Sequence, residues 1–461
     1  MGMAVDGLIS GLNTTDLINQ LMQAEGVPQT LLKTKVTDST TYITAMQSLN
    51  TKVAALADLA TKTAKPAASD LHTATSSSDK VVVTAGTGAV DGTIDFTVDK
   101  VAQSQVTVTG PLTQWPDEPP VLTFVAADGT MKQVTASSSS LADVAAAINK
   151  AGVGVTATRV AAGLDPSTGE KVYRLQLSST KTGVEGSFTA YRGSTTDVSA
   201  GTASNLLTEP GAAQVRQAQD AQITLWSGTG AAQAVTSSTN TFADVLPGVS
   251  MTVSAASTTP VTLTVARDDK AISDVAKSLI TSLNDIFALI ATKQAVSTTT
   301  NATGGTVVTA GTFTGDSTVR DANQKLLDAA SAPIDGVSPS TYGISITSDG
   351  NMTFDADKFA TALAEDPEKV KAAVAAVAQR VADAATAASD KYDGTITTKI
   401  TGEQSTVKSL NSQISDWDTR LADRRASLEK TYANLEVNLQ KLQSQSNWLT
   451  GQLASLSSSS K

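Results

Sequence analysis

The chain has 461 residues, a net charge of −10, 40% hydrophobic and 17% charged residues, no cysteine and one histidine, His72. A thiol nucleophile, a disulfide framework, a cysteine metal site and any site needing two histidines from one chain are thereby excluded. Residues 1–70 carry −1 and residues 408–461 carry +2, which leaves −11 between them; so acidic a body repels phosphate backbones, and nucleic acid is not an expected partner.

A prior of roughly 150 residues per domain gives about three domains. Residues 1–65 read as helix. Asn13 or Thr14 suits the N-cap, and Asp16 lies in the first turn, where the helix dipole favours an acid. Leu17, Ile18, Leu21 and Met22 form one apolar face before Gly26 and Pro28 interrupt it. Tyr42, Met46, Leu49, Val53, Leu56 and Ala60 then recur at steps of four, three, four, three and four. That rhythm suits either a coiled-coil seam or one face of an intramolecular bundle. Gly2, Gly7 and Gly11 loosen the start, so order there is expected to come with assembly. The start also lacks a basic region, a continuous apolar stretch and a small-residue cleavage site, so any export is expected to use a route other than a cleaved secretory signal. No apolar run reaches the ~18 residues of a membrane span.

From about Ser76 the texture changes to β. Val81 to Thr84, then Ile94, Phe96 and Val98 on alternate positions, read as strands. Leu122, Phe124 and Val125 lead through an Asp128-Gly129 turn to Val134. Ser140 caps a short helix that turns Leu141 and Ile148 inward. Val153, Val155 and Ala157 alternate, as do Tyr173, Leu175 and Leu177. Leu141-Ala142-Asp143-Val144 before Gly152-Val153 is echoed by Phe242-Ala243-Asp244-Val245 before Gly248-Val249, which suggests two related modules, each a helical turn, a glycine and a strand. Val261, Leu263 and Val265 close the region. Helix resumes at Asp268 with Ile272, Val275, Leu279, Leu283, Ile286, Phe287 and Ile290. A Thr/Gly-rich loop at 297–312, a helix at 317–330, a hairpin over Tyr342 to Phe354, a helix opened by Asp357 and an Ala-rich helix at 368–390 follow.

The last segment is the most regular. Ile414, Leu421, Leu428, Leu435, Leu442, Leu449 and Leu456 recur every seven residues, which specifies a left-handed supercoil. The companion row begins with Leu410 and Trp417 but degrades to Arg424 and Thr431, so the helix is expected to pack among several neighbours rather than in a two-stranded zipper.

Enzyme chemistry finds no support. Asp349-Gly350-Asn351 starts like a calcium loop but lacks glycine at the sixth position and glutamate at the twelfth; it reads better as a hairpin turn, with Asp355 or Asp357 as a helix cap. No nucleophile elbow, P-loop or dinucleotide fingerprint is present. His72 reads as an exposed residue at the helix-to-β junction. Neither a cofactor nor a metal is expected.

Helical ends flanking β-rich inserts resemble the axial proteins of the bacterial flagellum. Val5-Asp6-Gly7-Leu8-Ile9-Ser10-Gly11-Leu12-Asn13-Thr14 resembles the opening of the filament-capping, or hook-associated protein 2, family. Ile94 to Gln103, Ala218-Gln219-Asp220, Pro247-Gly248-Val249, Arg267-Asp268, Gly315-Asp316-Ser317, Gly343-Ile344, Asp366-Pro367 and Asn447-Trp448-Leu449 continue the resemblance in order; residues 106–214 carry it least. The resemblance implies an α+β multidomain fold in which N- and C-terminal helices pair into a coiled-coil or bundle stalk, with β-rich domains inserted at the far end. It implies a secreted structural protein at the distal filament tip, forming a ring often described as five-fold. Its implied partners are further copies of itself, flagellin, the flagellar type III export apparatus and an export chaperone.

Four parts are expected: a leg of residues 1–40 and 408–461; a helical bundle of 41–75 and 269–407; a β-rich domain of 76–108 and 212–268; and an outer β-rich domain of 109–211. The apolar seams assign oligomer or filament contacts to Leu8, Leu12, Leu17, Leu21, Met46, Leu49, Val53 and Leu56, and to Ile414, Leu421, Leu428, Leu435, Leu442, Leu449 and Leu456. Two alternatives stand beside the cap: another flagellar axial protein, or a surface adhesin with Trp115 or Tyr191 as exposed platforms for glycans.

Overall fold

A computed structural model describes residues 11 and 13–458, with side chains described as far as Ala454. Its helices are α1 (Thr14–Glu25), α2 (Val27–Thr63), α3 (Leu141–Ala151), α4 (Thr195–Ala200), α5 (Asp269–Gln294), α6 (Ser317–Ser331), α7 (Ala356–Glu365), α8 (Pro367–Ser389) and α9 (Thr395–Ser458). The chain forms two compact units: a helical one from residues 1–69 and 273–461, and a β-rich one from residues 70–272.

In the helical unit, Asn13 caps α1 by accepting the Asp16 amide at 3.1 Å. Gly26 separates α1 from α2 but keeps helical angles, and Pro28 sits in the first turn of α2, where its missing N–H leaves no bond unmade. Met46, Leu49, Val53, Leu56 and Ala60 of α2 are buried against Leu283, Ile286 and Ile290 of α5, Val319 and Leu326 of α6, Val377, Val381 and Ala385 of α8, and Ile396 and Ile400 of α9. The alanines of α8 remove side-chain bulk and let the neighbouring helices approach. Asn284 of α5 works as a strand edge: its amide donates to the Met352 carbonyl at 2.7 Å and accepts the Met352 amide at 2.9 Å. It thereby fixes the hairpin of Ile344–Ile346 and Met352–Phe354. By length and composition α5 could cross a bilayer, but its apolar side lies in this core.

Tyr42 donates to Asp316 Oδ2 at 2.5 Å, while Asp316 Oδ1 caps α6 at Val319. Burial, then the Asp316 carboxylate, pushes the Tyr42 hydroxyl well above its ordinary range. The folded pKa is raised, so the stabilisation is full below the unfolded value of about 10 and is lost as pH rises through and beyond it. Tyr42→Phe should cost about 1.5 kcal/mol at neutral pH, and thermal melts in alkali should show that advantage of the native tyrosine shrinking.

The β-rich unit holds two cores. In the first, a five-stranded antiparallel sheet runs His72–Ser76, Ser257–Arg267, Gly92–Lys100, Ala221–Leu225, Gln233–Ser237. A three-stranded sheet of Thr241–Ala243, Val249–Val253 and Val81–Ala85 shares its core. Phe96, Val98, Ile223, Met251 and Leu263 fill the space between. The second core lies between two four-stranded sheets and α3, with Leu122, Phe124, Ile148, Leu175 and Leu177 buried. Ser140 caps α3 at the Ala142 amide, and Gly152 ends it in the left-handed region at φ 60°. The chain crosses between the cores at Gln103 and Gln219, whose amides each donate to the other's carbonyl, at 2.9 and 3.2 Å.

Several local expectations need correction. Residues 297–300 and 306–309 pair as an exposed hairpin where a loop is expected; threonines on both faces gave no apolar alternation to read. Phe242-Ala243 is strand and not a helical turn, so it does not match Leu141-Ala142 in α3, and the module echo fails. Asp349-Gly350 has positive φ only at the glycine, as does Asp128-Gly129; neither is the two-left-handed-residue turn that Asp-Gly suggests.

Candidate functional site

The described N-terminal residues return to the far end of the chain. The Gln29 amide donates to Asp418 Oδ1 at 2.5 Å and to the Ile414 carbonyl at 3.5 Å. Arg424 Nε donates to Glu25 at 2.9 Å, and Arg425 donates to Asn19 Oδ1 at 2.8 Å. Rising numbers on α9 meet falling numbers on α1 and α2, so the two ends pair antiparallel. α9 is 64 residues long, about 96 Å at the helical rise, and its start is rooted in the core through Ile396 and Ile400.

Burial is lower at the far end of the seven-residue row than at its start. Leu410 is buried, and Ile414, Trp417, Leu421 and Leu428 are half-buried. Leu435, Leu442 and Leu449 are 42%, 59% and 54% exposed. The seven-residue row therefore runs from core to open surface. Val437, Trp448 and Leu453 add exposed apolar area beside it, as do Val27 and Leu31 on α2. Those five lie off the strict heptad row, which is why the repeat did not single them out as contacts.

Other seam residues fare differently. Ile18, not Leu17 or Leu21, is the buried apolar position of α1. Met46, Leu49, Val53 and Leu56 have at most 1% of their surface accessible. Their seam is an internal face of the chain's own bundle, so the assignment of partner contacts to these four is corrected. Leu8, Leu12 and the Leu456 side chain lie outside the described residues.

The pairing of the ends is weak. One buried isoleucine contributes about 1.5–3 kcal/mol, and the Glu25–Arg424 pair, with both side chains more than a third exposed, adds about 0–1 kcal/mol.

Among the described residues no three acidic or histidine side chains come together as metal ligands. His72 is half-buried rather than exposed: its side chain is 12% accessible, with Nε2 3.4 Å from Asp91. In the outer core, Arg192 Nε lies 3.3 Å from Asp117 and 3.1 Å from Glu209. Burial holds the Glu209 carboxyl above its ordinary range against the pull of Arg192, and Asp117 pushes the same way. These groups form a partly exposed ion cluster with no nucleophile in it. Trp115 is 1% exposed, which removes it as a platform; Tyr191 is half-buried.

Comparison with known proteins agrees with this plan. Residues 10–105 match the family model described as flagellar hook-associated protein 2 N-terminus, and residues 218–444 match its C-terminus counterpart. The B-type flagellar hook-associated protein 2 of Pseudomonas aeruginosa is 28% identical over 97% of both chains. The flagellar hook-associated protein 2 of Escherichia coli O157:H7 is 24% identical over 98% of both. The crystal structure of the D1-D2-D3 domains of the flagellar cap protein FliD from Escherichia coli superposes with a TM-score of 0.59 at 21% identity. It covers 78% of this chain and 99% of that one, a likeness of fold. With both family models matched in order across the chain, this protein belongs to the flagellar hook-associated protein 2 family.

Proposed function

We propose that this chain is exported and forms an oligomeric cap at the distal end of the flagellar filament, where it holds flagellin while that protein folds and inserts. No bond is made or broken; flagellin folding supplies the driving force, and the cap reduces the loss of monomers. The observation that carries this reading is the α9 row that leaves the core and ends with Leu442 and Leu449 exposed on a long helix. A protein that must step as subunits enter needs contacts that are individually weak and numerous, and the solvent-exposed Glu25–Arg424 pair between the ends suits that. In this reading residues 1–40 and 408–461 act as legs, 41–75 and 269–407 as the bundle, less the stretch from His72 that pairs into the five-stranded sheet, and 76–108 with 212–268 and 109–211 as inner and outer β parts. Ring formation with further copies, of which five is the expected number, and passage through the flagellar type III apparatus with an export chaperone complete the proposal.

Removing residues 437–461 tests it. Every described side chain in that stretch except the half-buried Leu439 is exposed, so the melting temperature should hold within about a degree, as for surface changes. In cells lacking the native cap protein, the truncated chain should leave flagellin in the medium and filaments short. Filaments of full length would sink the leg reading.

A further inference from the structure

Trp226 is the unusual residue of the inner β core. It ends the strand Ala221–Leu225 with φ 51°, in the left-handed region. Among the described residues the other non-glycine positions with positive φ are Asp244 and Asp335, whose short polar side chains tolerate that conformation; a bulky indole does not. The turn is held by the Trp226 amide on the Asp95 carbonyl at 2.9 Å and by the Thr229 hydroxyl on the Trp226 carbonyl at 2.8 Å. The residue is nevertheless 46% exposed, so packing within the chain covers only about half of the tryptophan kept on this strained backbone.

The turn that Trp226 begins leads into Gln233–Ser237, an edge strand of the five-stranded sheet. Its five residues pair without a register shift to Ala221–Leu225 on one side, and on the other side alternate N–H and C=O groups face outward. Other edges in this unit are blunted, as natural edges usually are. Ala213–Arg216 and Val155–Leu164 carry register shifts, Met131–Thr135 carries Lys132, and Ser204–Asn205 and Thr241–Ala243 are very short. The two remaining edges, His72–Ser76 and Val81–Ala85, lie against each other. Gln233–Ser237 has no lysine, proline or bulge. Val235 beneath it is only half-buried, so the core margin there is open.

We infer that this edge is a self-association surface: the same edge of a second copy pairs with Gln233–Ser237 about a two-fold axis, and Trp226 anchors the contact. No charged residue occurs from Ala221 to Ala243, whereas the chain carries −10. Two copies therefore meet there without like-charge opposition. The inference rests on the oligomeric part of the proposed function and adds a two-fold contact within the β-rich unit, separate from the contacts that would close a five-fold ring.

The test uses the full chain. Light scattering over a concentration series gives the mass of the native protein, of an Ala234→Lys/Thr236→Lys double variant, and of Trp226→Gly. Residues 234 and 236 pair with Thr224 and Gln222 on the face away from the core, so lysines there leave the fold intact. Both variants should weaken self-association at least tenfold. Trp226→Gly should also raise the melting temperature, because glycine accepts the positive φ freely. Amide exchange at 233–237 should slow with concentration in the native protein alone. Association unchanged in the double variant would overturn the edge while leaving the cap reading standing. A lowered melting temperature in Trp226→Gly would overturn the anchor by making the ring structural. Edge variants that oligomerise normally but fail to bind filaments would assign the edge to flagellin instead. A native protein that neither oligomerises nor caps filaments would remove the cap reading itself.

Discussion

Replacing Leu49 by alanine should destabilise the helical unit by about 2–5 kcal/mol, the range for emptying a packed leucine site, while the same change at Leu442 should leave its melting unmoved. Leu49 has no accessible surface and shares a core with Leu283, Val381 and Ile396, drawn from three other helices. None of these can collapse onto the vacancy without leaving its own contacts. Leu442 is 59% exposed, and surface substitutions usually fall within about 0.5 kcal/mol. Circular dichroism melts of both variants, read beside a filament-growth assay, separate the two roles. Leu49→Ala should fail in both. Leu442→Ala should melt like the native chain and, combined with Leu435→Ala and Leu449→Ala, should impair growth. An unaltered melt for Leu49→Ala would mean that α2 is not the centre of the bundle.

That contrast shows what periodicity resolves. The steps over Tyr42 to Ala60 and the row from Ile414 to Leu456 look alike as patterns, and each specifies one apolar face. Neither says what covers the face. For α2 the covering helices are α5, α6, α8 and α9 of the same chain, which lie more than 200 residues away in sequence. For the end of α9 no described element covers Leu442 or Leu449. Caps and breaks were legible because they depend on neighbouring residues: Asn13 before α1, Ser140 before α3, and Gly26 with Pro28 between α1 and α2. Asp355, one of two candidate caps for α7, was settled only by the backbone bend that lets it accept the Lys358 amide at 3.0 Å. The strained turn at Trp226 left no trace, because an indole in the left-handed region is a tertiary outcome that runs against local preference. Residues 106–214, where the family resemblance was thinnest, lie in the gap between the two matched family segments. Alternation there still located the strands around Phe124 and Leu175, since burial follows a period of two whatever the family.

Trp115→Ala should unfold the outer β core, at a cost of about 3–5 kcal/mol. A residue reserved for binding glycans would cost little, so this variant separates the two roles that the bare sequence left open. The ring is 1% exposed and shares its core with Leu122, Val134, Leu141 and Leu206. Its backbone amide is held on the Ser139 carbonyl at 2.7 Å, and swinging the side chain out to serve as a platform would empty its place in that core. The indole N–H is buried without a hydrogen-bond partner in the structure, a state that itself costs about 1–3 kcal/mol. Trp115→Phe removes that N–H and keeps most of the apolar bulk, so it should cost less than half of what alanine does. Hydrogen exchange along 121–126 and 171–179 reads the outer core directly, and should rise strongly for alanine and modestly for phenylalanine. Protection along 92–100 should be unchanged in both, because Phe96 and Val98 belong to the other core of that unit. Equal losses in the two variants would mean that the indole N–H is satisfied after all, and that shape alone holds Trp115 in place.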